Sequence, residues 1–206
     1  MTAKSKAKKK RGRSRAPAKT KGAKRRGAAA RAPSPEAAAV KLLVLDCDGV
    51  LTDGHLLYGP GGEIYQRFSV YDGYAIELLK AAGIEVAILT GKTSSALMQR
   101  AQTLSIRKIV QGCSDKAAAI KRLAEQAELD LTAVAFMGDD LFDLCAIRVA
   151  GWSAAPANAR PEVKAEVSYV CAAAGGDGAV REVAEALLGS RGAWPPPGAA
   201  VGRADT

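Results

Sequence analysis

The sequence predicts an α/β fold built on a doubly wound parallel sheet, with a short β-hairpin inserted between the first strand and the first helix. Three observations lead to this fold class. Short apolar runs recur along the chain, stretches with helical periodicity separate them, and polar or acidic residues follow several of the runs directly. Strands that alternate with helices of about ten residues are typical of βαβ units, whose crossover helices cover both faces of a parallel sheet.

The first predicted strand is the run Val40–Leu45, which is apolar except for Lys41. A nearly continuous apolar run of this length is expected for a strand that is buried on both faces. Trp152 and Tyr169 lie in strand-like stretches and are expected in the core. Further strands are predicted at 85–89, 108–110, 133–137 and 168–170, and helices at 73–82, 94–104, 116–126, 141–148 and 179–188.

The segment 55–68 breaks the alternation of strands and helices. Its centre is Gly59-Pro60-Gly61-Gly62, which lies between two short β-like runs. Glycine and proline in this arrangement favour a tight turn, so we predict a β-hairpin flap here. No gap elsewhere in the chain is long enough for an additional domain.

Composition divides the chain of 206 residues into a basic tail at 1–39, one folded domain at 40–189 and a flexible C-terminal tail at 190–206. Residues 1–35 hold 14 of the 30 Lys and Arg and no acid, whereas the remainder has 16 basic against 21 acidic residues, a net charge of −5. A low-complexity basic segment is expected to be disordered. It either contacts polyanions weakly, through counterion release, or is a solvated extension. Trp194 offers a docking point for a partner.

Targeting signals are not evident in the sequence. No apolar run approaches the roughly 20 residues needed to cross a bilayer, so membrane insertion is not expected. The four cysteines have no paired spacing, which suggests free thiols in a reducing compartment, and we predict a cytoplasmic protein. Because His55 is the only histidine in the sequence, a His-rich metal site is excluded.

Chemistry-bearing side chains follow the ends of the predicted strands, where ligands bind in open α/β sheets. Two acids and a glycine come directly after the first strand, and a second acidic cluster follows the run 133–137. A threonine follows the run 85–89, and a lysine opens the helix after the run 108–110. These candidate residues are Asp46 and Asp48, Asp139 and Asp143, Thr90, and Lys116.

This set suits the transfer of a phosphate group. A carboxylate nucleophile and a phosphate repel each other, and an oxygen-liganded Mg²⁺ held by carboxylates neutralises that repulsion. Lys116 and Thr90 can take up charge on the transferring oxygens. A second carboxyl must protonate the leaving alkoxide and then activate water. Simpler interpretations exist for each of these residues. Asp46 and Asp48 could be a pair of residues in a turn, the cluster at Asp139 could cap a helix, and Lys116 could be an ordinary surface lysine.

The motifs D-x-D-G-V-L-T-D-G, T-G-K, Lys116 and G-D-D-L-x-D are those of the haloacid dehalogenase superfamily, which this sequence resembles in all four motifs. The resemblance implies that Asp46 is the nucleophile and a Mg²⁺ ligand. It implies that Asp48 is the general acid/base and gives its backbone carbonyl to the metal. Thr90 and Lys116 would hold the phosphoryl group, and Asp139 would be the third protein ligand of the metal. Asp143 would hold Asp139 in position without binding the metal itself.

Over about residues 41–188 the sequence further resembles the 3-deoxy-D-manno-octulosonate 8-phosphate (KDO 8-phosphate) phosphatases, which lack a cap domain. The additional motifs are the short flap, F-S-V-Y-D-G and G-G-x-G-A-V-R-E. The resemblance implies an aspartyl-phosphate mechanism, a homotetramer and a place in lipopolysaccharide precursor synthesis. Lys116 and Asp48 would bind substrate together with Ser69, Val70, Tyr71, Asp72, Gly73, Lys92 and Arg100.

Departures from the family pattern bear on the substrate. Lys92 stands where the family usually has arginine, which keeps the charge but loses the bidentate fork, and Asp177 stands where arginine is frequent. Phosphatases of nine-carbon, sialic-acid-type 9-phosphates tend to have glutamate at the position of Lys92 and lysine at that of Thr103, so this chain is closer to the eight-carbon type. The alternatives are a nine-carbon substrate, or an inactive scaffold whose basic tail binds nucleic acid.

Overall fold

A six-stranded, fully parallel sheet forms the centre of the protein. The structure is a computed structural model that describes Met1 and residues 34–196. From one edge of the sheet to the other, the strands are β5 (Lys108–Val110), β4 (Glu85–Leu89), β1 (Leu42–Leu45), β6 (Val134–Met137), β7 (Trp152–Ala155) and β8 (Tyr169–Val170), and β2 (Leu57–Gly59) pairs with β3 (Gly62–Tyr65) in a separate antiparallel ribbon. The predicted α/β doubly wound class and the hairpin flap are confirmed.

Helices cover both faces of the sheet. They are α1 (Pro35–Ala39), α2 (Val70–Ala81), α3 (Ser95–Thr103), α4 (Lys116–Gln126), α5 (Leu144–Ile147), α6 (Pro161–Glu166) and α7 (Ala179–Ser190). Three of the long helices begin at a side chain that accepts a hydrogen bond from a backbone N–H in the first turn, at Ser69, Ser94 and Asp115. Each cap satisfies a donor that the helix itself cannot pair.

The central strand β1 shows why the apolar run predicted a doubly covered sheet. Leu43 and Leu45 pack with α2, α3 and α7, whereas Leu42 and Val44 pack on the opposite face with α4, α5 and α6. Successive side chains of a strand point to opposite faces, so a strand inside such a sheet must be apolar at every position. All four of these residues are completely buried.

Three elements differ from the prediction. The strand β7 was expected only as a strand-like stretch around Trp152; it is fully buried, although its other three residues, Ser153, Ala154 and Ala155, carry little strand signal. The helix α6 is only six residues long and begins at a proline. The helix α1 lies inside the segment predicted to be a disordered tail.

The limits of the folded part are wider than predicted at both ends. Ala37 of α1 is buried against the core, and the guanidinium of Arg191 donates to the backbone carbonyls of Ala38, Val40 and Ala82. The ring of Trp194 packs over the guanidinium of Arg181, 4.8 Å from its centroid. The contacts of α1, Arg191 and Trp194 thus lie beyond the predicted boundaries at 39/40 and 189/190, and the division into one domain and two tails stays a prediction. The rest of the predicted tails, 2–33 and 197–206, lies outside the described residues, and their roles stay predictions.

Within the described residues, no helix has both the length and the apolar character that crossing a membrane would require.

Candidate active site

The predicted site residues meet at the carboxyl edge of the sheet, where the strand order reverses. The chain builds outward from β1 to β4 and β5, and then returns to the other side of β1 with β6. Asp46 follows β1 and Asp139 follows its neighbour β6, so two acids from distant parts of the sequence face one crevice. Such a reversal is the usual ligand position in doubly wound sheets.

The loop after Asp46 turns sharply to bring its backbone against the second acidic cluster. Residues 47–51 form an irregular turn in which Gly49 has a φ of 85°. A Cβ at this position would collide with the carboxylate of Asp139, so glycine meets both the conformation and the space. The hydroxyl of Thr52 accepts hydrogen bonds from the N–H groups of Gly49 and Gly54 and fixes the turn.

Lys116 is the electrostatic centre of the site. Its ammonium lies 2.8 Å from Oδ1 of Asp46 and 2.6 Å from Oδ1 of Asp143, and the residue is only 2 % exposed. Burial lowers the pKa of Lys116, but the two carboxylates outweigh that effect and raise it above the ordinary lysine value. The surface reading of Lys116 is therefore wrong.

Asp143 holds the second acidic cluster in place. While its Oδ1 accepts from Lys116, its Oδ2 accepts from the backbone N–H groups of Asp139 at 2.8 Å and Asp140 at 3.1 Å. Both oxygens are thus used within the protein, as expected for a residue that supports the site from behind. Asp140 caps the short turn that follows, so the capping interpretation applies to Asp140.

The acidic cluster carries more negative than positive charge. Carboxylate oxygens of Asp46, Asp139 and Asp143 lie within 4.8 Å of one another, with Lys116 as their counter-charge. Burial is the main reason that the pKa of Asp46 is raised to about 6, and repulsion by Asp143 adds to it. Burial, followed by repulsion from Asp46 and Asp143, raises the pKa of Asp139 to about 7. A site of oxygen ligands with surplus negative charge fits a hard divalent cation.

Asp48 lies at the mouth of the site, between two side chains. Its Oδ1 accepts a hydrogen bond from Nε2 of Gln66 at 3.3 Å, and its Oδ2 lies 3.7 Å from the ammonium of Lys92. Thr90 is buried, and its hydroxyl accepts from the N–H of Lys92 at 3.3 Å. The catalytic residues predicted after β1, β4, β5 and β6 line one cavity of about 320 Å³, together with Gly54, Gly91, Lys92, Asp140 and Phe142.

The segment 69–73 divides into two parts. Val70 and Tyr71 are strongly exposed, whereas Asp72 and Gly73 are buried. The carboxylate of Asp72 accepts from the N–H groups of Gly178 at 3.2 Å and Arg181 at 2.9 Å. These hydrogen bonds join α2 to the start of α7, and contact of Asp72 with a substrate stays a prediction.

Arg100 ties α3 to the same segment. Its guanidinium donates to the backbone carbonyl of Ser69 at 2.9 Å, and a Cβ on Gly73 would collide with it. Gly73 is thus needed for close packing of the arginine. Contacts of Ser69, Val70, Tyr71, Gly73 and Arg100 with a substrate stay predictions.

Two residues that sequence reasoning missed hold the catalytic loops. Gln66 contacts Asp48 from the flap, as described above. The side-chain amide of Asn158, after β7, donates to the carbonyl of Gly49 at 2.9 Å and accepts from the N–H of Gly175 at 2.7 Å. Neither belongs to a motif at a strand end, and only the folded chain brings them to the site.

Comparison with known proteins agrees with this geometry. Residues 101–183 match the family model of haloacid dehalogenase-like hydrolases. The chain is 41 % identical over 157 residues to the 3-deoxy-D-manno-octulosonate 8-phosphate phosphatase of Escherichia coli strain K12, covering 76 % of this chain and 84 % of the relative. The relatives from Salmonella typhi and Yersinia pestis are also 41 % identical.

Two solved structures are similar in fold. The cobalt-bound phosphatase of Haemophilus influenzae superposes with a TM-score of 0.75 at 38 % identity and covers 76 % of this chain and 92 % of that one. The Moraxella catarrhalis enzyme, in complex with magnesium ion, phosphate ion and KDO, has the same TM-score and identity and covers 77 % and 91 %. The expected Mg²⁺ cofactor agrees with the metals of these relatives and with the acidic cluster. The chain therefore belongs to the haloacid dehalogenase-like hydrolases and, within them, to the 3-deoxy-D-manno-octulosonate 8-phosphate phosphatases, which are phosphoric monoester hydrolases.

Proposed function

We propose that this protein hydrolyses KDO 8-phosphate to KDO and phosphate through an aspartyl-phosphate. The observation that carries the proposal is the buried ion-pair cluster, in which Lys116 bridges Asp46 and Asp143 at the carboxyl edge of β1. The identity of the substrate rests on the relatives, whose names specify KDO 8-phosphate, and on the cation at Lys92.

The first half-reaction transfers the phosphoryl group to Asp46. Lys116 binds Oδ1 of this carboxylate, which leaves the other oxygen to attack phosphorus. The new O–P bond forms while the bond from phosphorus to the sugar oxygen breaks, and Asp48 gives its proton to that oxygen. Lys116 and the hydroxyl of Thr90 stabilise the charge on the transferring phosphoryl oxygens.

The second half-reaction releases phosphate. Asp48, now ionised, takes a proton from a water molecule as the water oxygen attacks phosphorus, and the bond to Asp46 breaks. The nucleophile returns to its carboxylate form, and Asp48 is again protonated. Asp48 thus acts first as a general acid and then as a general base, and it ends the reaction cycle in its starting protonation state.

Asp46, Asp139 and the backbone carbonyl of Asp48 would hold Mg²⁺, which would supply the charge neutralisation that lets two anionic groups approach each other. The surplus negative charge of the cluster supports this assignment. Asp143 keeps Asp139 in position through the backbone N–H that it accepts.

Lys92 is the residue that we assign to the sugar acid. Its ammonium is half-exposed beside Asp48, where an arriving anionic substrate can take it over as a counter-ion. A lysine meets a sugar carboxylate as a point charge and without the bidentate geometry of arginine. The nine-carbon sialic-acid-type 9-phosphate is the competing substrate, since it carries the same carboxylate and a phosphate on a longer chain.

We further propose that the active form is a homotetramer, as the family resemblance implies. Large apolar side chains are exposed on the flap and on the first turns of α2, and water would otherwise enter a site that no cap domain covers. These side chains are Leu57, Tyr58, Tyr65, Val70, Tyr71 and Tyr74. The proposed setting is lipopolysaccharide precursor synthesis in the cytoplasm, which agrees with the absence of a disulfide among the four cysteines of the described residues.

The direct test is phosphate release from KDO 8-phosphate by the wild-type protein and by Asp46→Asn. Loss of the nucleophile should lower kcat by at least about 10⁴-fold, because the amide can neither attack phosphorus nor balance Lys116. Full activity of Asp46→Asn would contradict the aspartyl-phosphate mechanism. Comparing kcat/KM for KDO 8-phosphate, a nine-carbon sugar acid 9-phosphate and p-nitrophenyl phosphate identifies the substrate. If neither sugar acid is preferred over the aryl phosphate, the substrate assignment fails and the phosphatase assignment survives.

A further inference from the structure

Gln66 joins the flap to the catalytic acid. It lies directly after β3, is partly buried, and donates from Nε2 to Oδ1 of Asp48 at 3.3 Å. This is the only hydrogen bond from a side chain to the Asp48 carboxylate among the described residues, since Lys92 approaches the other oxygen at ion-pair distance.

The orientation of the Gln66 amide is fixed from its other side. Its Oε1 accepts from the hydroxyl of Ser94 at 2.7 Å, and that hydroxyl oxygen accepts from the backbone N–H of Leu97 at 3.2 Å. Because Ser94 already accepts at its oxygen, its proton is free for Gln66. A carboxylate can only accept when it is ionised, so the amide nitrogen must face Asp48.

The three hydrogen bonds run in one direction, from the N-terminus of α3 through Ser94 and Gln66 to Asp48. Helix α3 has nine residues, and the positive end of its dipole lies at the start of this chain. Hydrogen bonds that point the same way polarise one another, so the donor at Nε2 is stronger than an isolated amide.

We propose that Gln66 is a positioning residue for Asp48: by donating to Oδ1, it keeps the catalytic proton on Oδ2, the oxygen on the side of Lys92. Oδ1 remains an acceptor in both protonation states of the carboxyl group, so the hydrogen bond persists through the cycle. This inference rests on the proposed role of Asp48 as the general acid.

The consequence concerns one proton transfer. When the bond from phosphorus to the sugar oxygen breaks, the proton on Oδ2 moves to that oxygen and the electron pair of the O–H bond stays on Asp48. If Gln66 is lost, the carboxyl can rotate and place its proton on either oxygen, and only one of the two faces the leaving group. The loss matters only when the leaving group needs the proton.

Two substrates whose leaving groups differ in basicity therefore distinguish a role of Gln66 in positioning Asp48 from a general loss of activity. KDO 8-phosphate leaves as a basic alkoxide, whereas p-nitrophenyl phosphate leaves as a stable phenolate that needs no proton. We use kcat/KM, which includes every step up to the breaking of the phosphorus–oxygen bond. For Gln66→Ala we expect a loss of about 10- to 100-fold with KDO 8-phosphate, the range for a hydrogen bond to a charged group, and less than about threefold with p-nitrophenyl phosphate.

Three further variants sharpen the test. Gln66→Glu puts an acceptor against Oδ1 and should be more damaging than alanine with KDO 8-phosphate. Gln66→Lys keeps a donor and should recover most of the activity. Arg67→Ala is the matched control, because its side chain pairs with Asp53 outside the catalytic cavity, and it should match the wild-type protein with both substrates. Melting temperatures of all variants establish that they fold.

Equal losses of Gln66→Ala with both substrates, or no loss with either, would overturn the proposal. Asp48→Asn distinguishes this failure from a failure of the proposed function. If Asp48→Asn loses far more activity with KDO 8-phosphate than with the aryl phosphate while Gln66→Ala does not, Asp48 is the acid and the role of Gln66 is wrong. If Asp48→Asn shows no dependence on the leaving group, the assignment of the general acid itself is wrong.

Discussion

The floor of the active site and its rim are built in opposite ways. The floor consists of charged side chains that are buried and paired with one another, namely Asp46, Lys116 and Asp143, with Asp139 beside them. The rim consists of the flap β2–β3 and the first turns of α2, where large apolar side chains are exposed.

The difference between floor and rim indicates that a single chain forms the floor but leaves the rim exposed. The floor holds the groups proposed to attack phosphorus and to balance its charge, and strand ends and helix starts position them, whereas Asp48, the proposed general acid, lies at the mouth. The rim exposes apolar surface to water, which is costly unless another surface covers it. We therefore expect changes on the floor to affect all phosphate esters alike, and changes on the rim to affect the sugar acid and the assembly.

The largest effect is expected for Lys116→Met, which removes the counter-charge of the floor. The carboxylates of Asp46, Asp139 and Asp143 would then face one another without a counter-charge, and the transferring phosphoryl group would lose its cation. We expect kcat/KM to fall by about 10³-fold or more with both KDO 8-phosphate and p-nitrophenyl phosphate. Lys121→Met, on the exposed face of the same helix, is the control and should leave steady-state rates unchanged. Comparable activity of the two variants would contradict the assigned role of Lys116.

A change on the rim should be smaller and selective. Tyr71→Asp places a charge on an exposed apolar position, so we expect the assembly to dissociate in light scattering coupled to size exclusion. We expect kcat/KM to fall about tenfold with KDO 8-phosphate and less than about threefold with p-nitrophenyl phosphate, because the floor is untouched. Lys121→Asp introduces the same charge on the opposite face of the sheet and should change neither quantity. An unchanged mass for Tyr71→Asp would show that this part of the rim is not an interface.

The smallest effect is a pH-dependent stabilisation of the floor by Mg²⁺. The pKa values of Asp46 and Asp139, raised by burial to about 6 and about 7, lie above the unfolded value near 4. In the metal-free protein the resulting contribution to stability is present at low pH and is lost as pH rises through these two values. Mg²⁺ needs both carboxylates ionised. It therefore binds best at high pH, where the two ionised carboxylates destabilise the metal-free protein most.

We accordingly expect Mg²⁺ to raise the melting temperature by about 5–11 °C at pH 8 and by much less at pH 5, because binding at about 100 times the Kd stabilises by about 2.7 kcal/mol and each kcal/mol shifts the melting temperature by about 2–4 °C in a domain of this size. The measurement is thermal unfolding with and without Mg²⁺ across that range. Asp139→Asn should remove most of the stabilisation at pH 8. A Mg²⁺ effect of the same size at both pH values would contradict the assigned ligands.

The predictions from the sequence succeeded where the signal is local. The helix at Lys116–Gln126 and the strand at Glu85–Leu89 have the predicted bounds, because an apolar pattern and a capping residue define them within a few residues. The strand β7 was expected only as a strand-like stretch around Trp152, since its other residues are small, and tertiary packing that includes α6 buries them. The residues of α1 looked like tail, but docking on α7 through Ala37 and Arg191 orders them.

The site shows the same division. The acids after β1 and β6 were recognised as a pair because each directly follows an apolar strand. Asp72 was expected to face the substrate, yet its partners lie more than 100 positions away, at Gly178 and Arg181. Gln66 carries no motif, and its contact with Asp48 depends on how the flap folds over the strand ends.

The sequence by itself determined the type of fold, the family and the candidate residues for handling the phosphate, because these depend on patterns within single strands and turns. Only the tertiary structure decided which acids share Lys116, that Gln66 contacts Asp48, and that Asp72 bonds to the start of α7. The physical reason is that a side chain's partner is set by distance in space, and the long-range packing of helices on the sheet brings together groups that no local pattern connects.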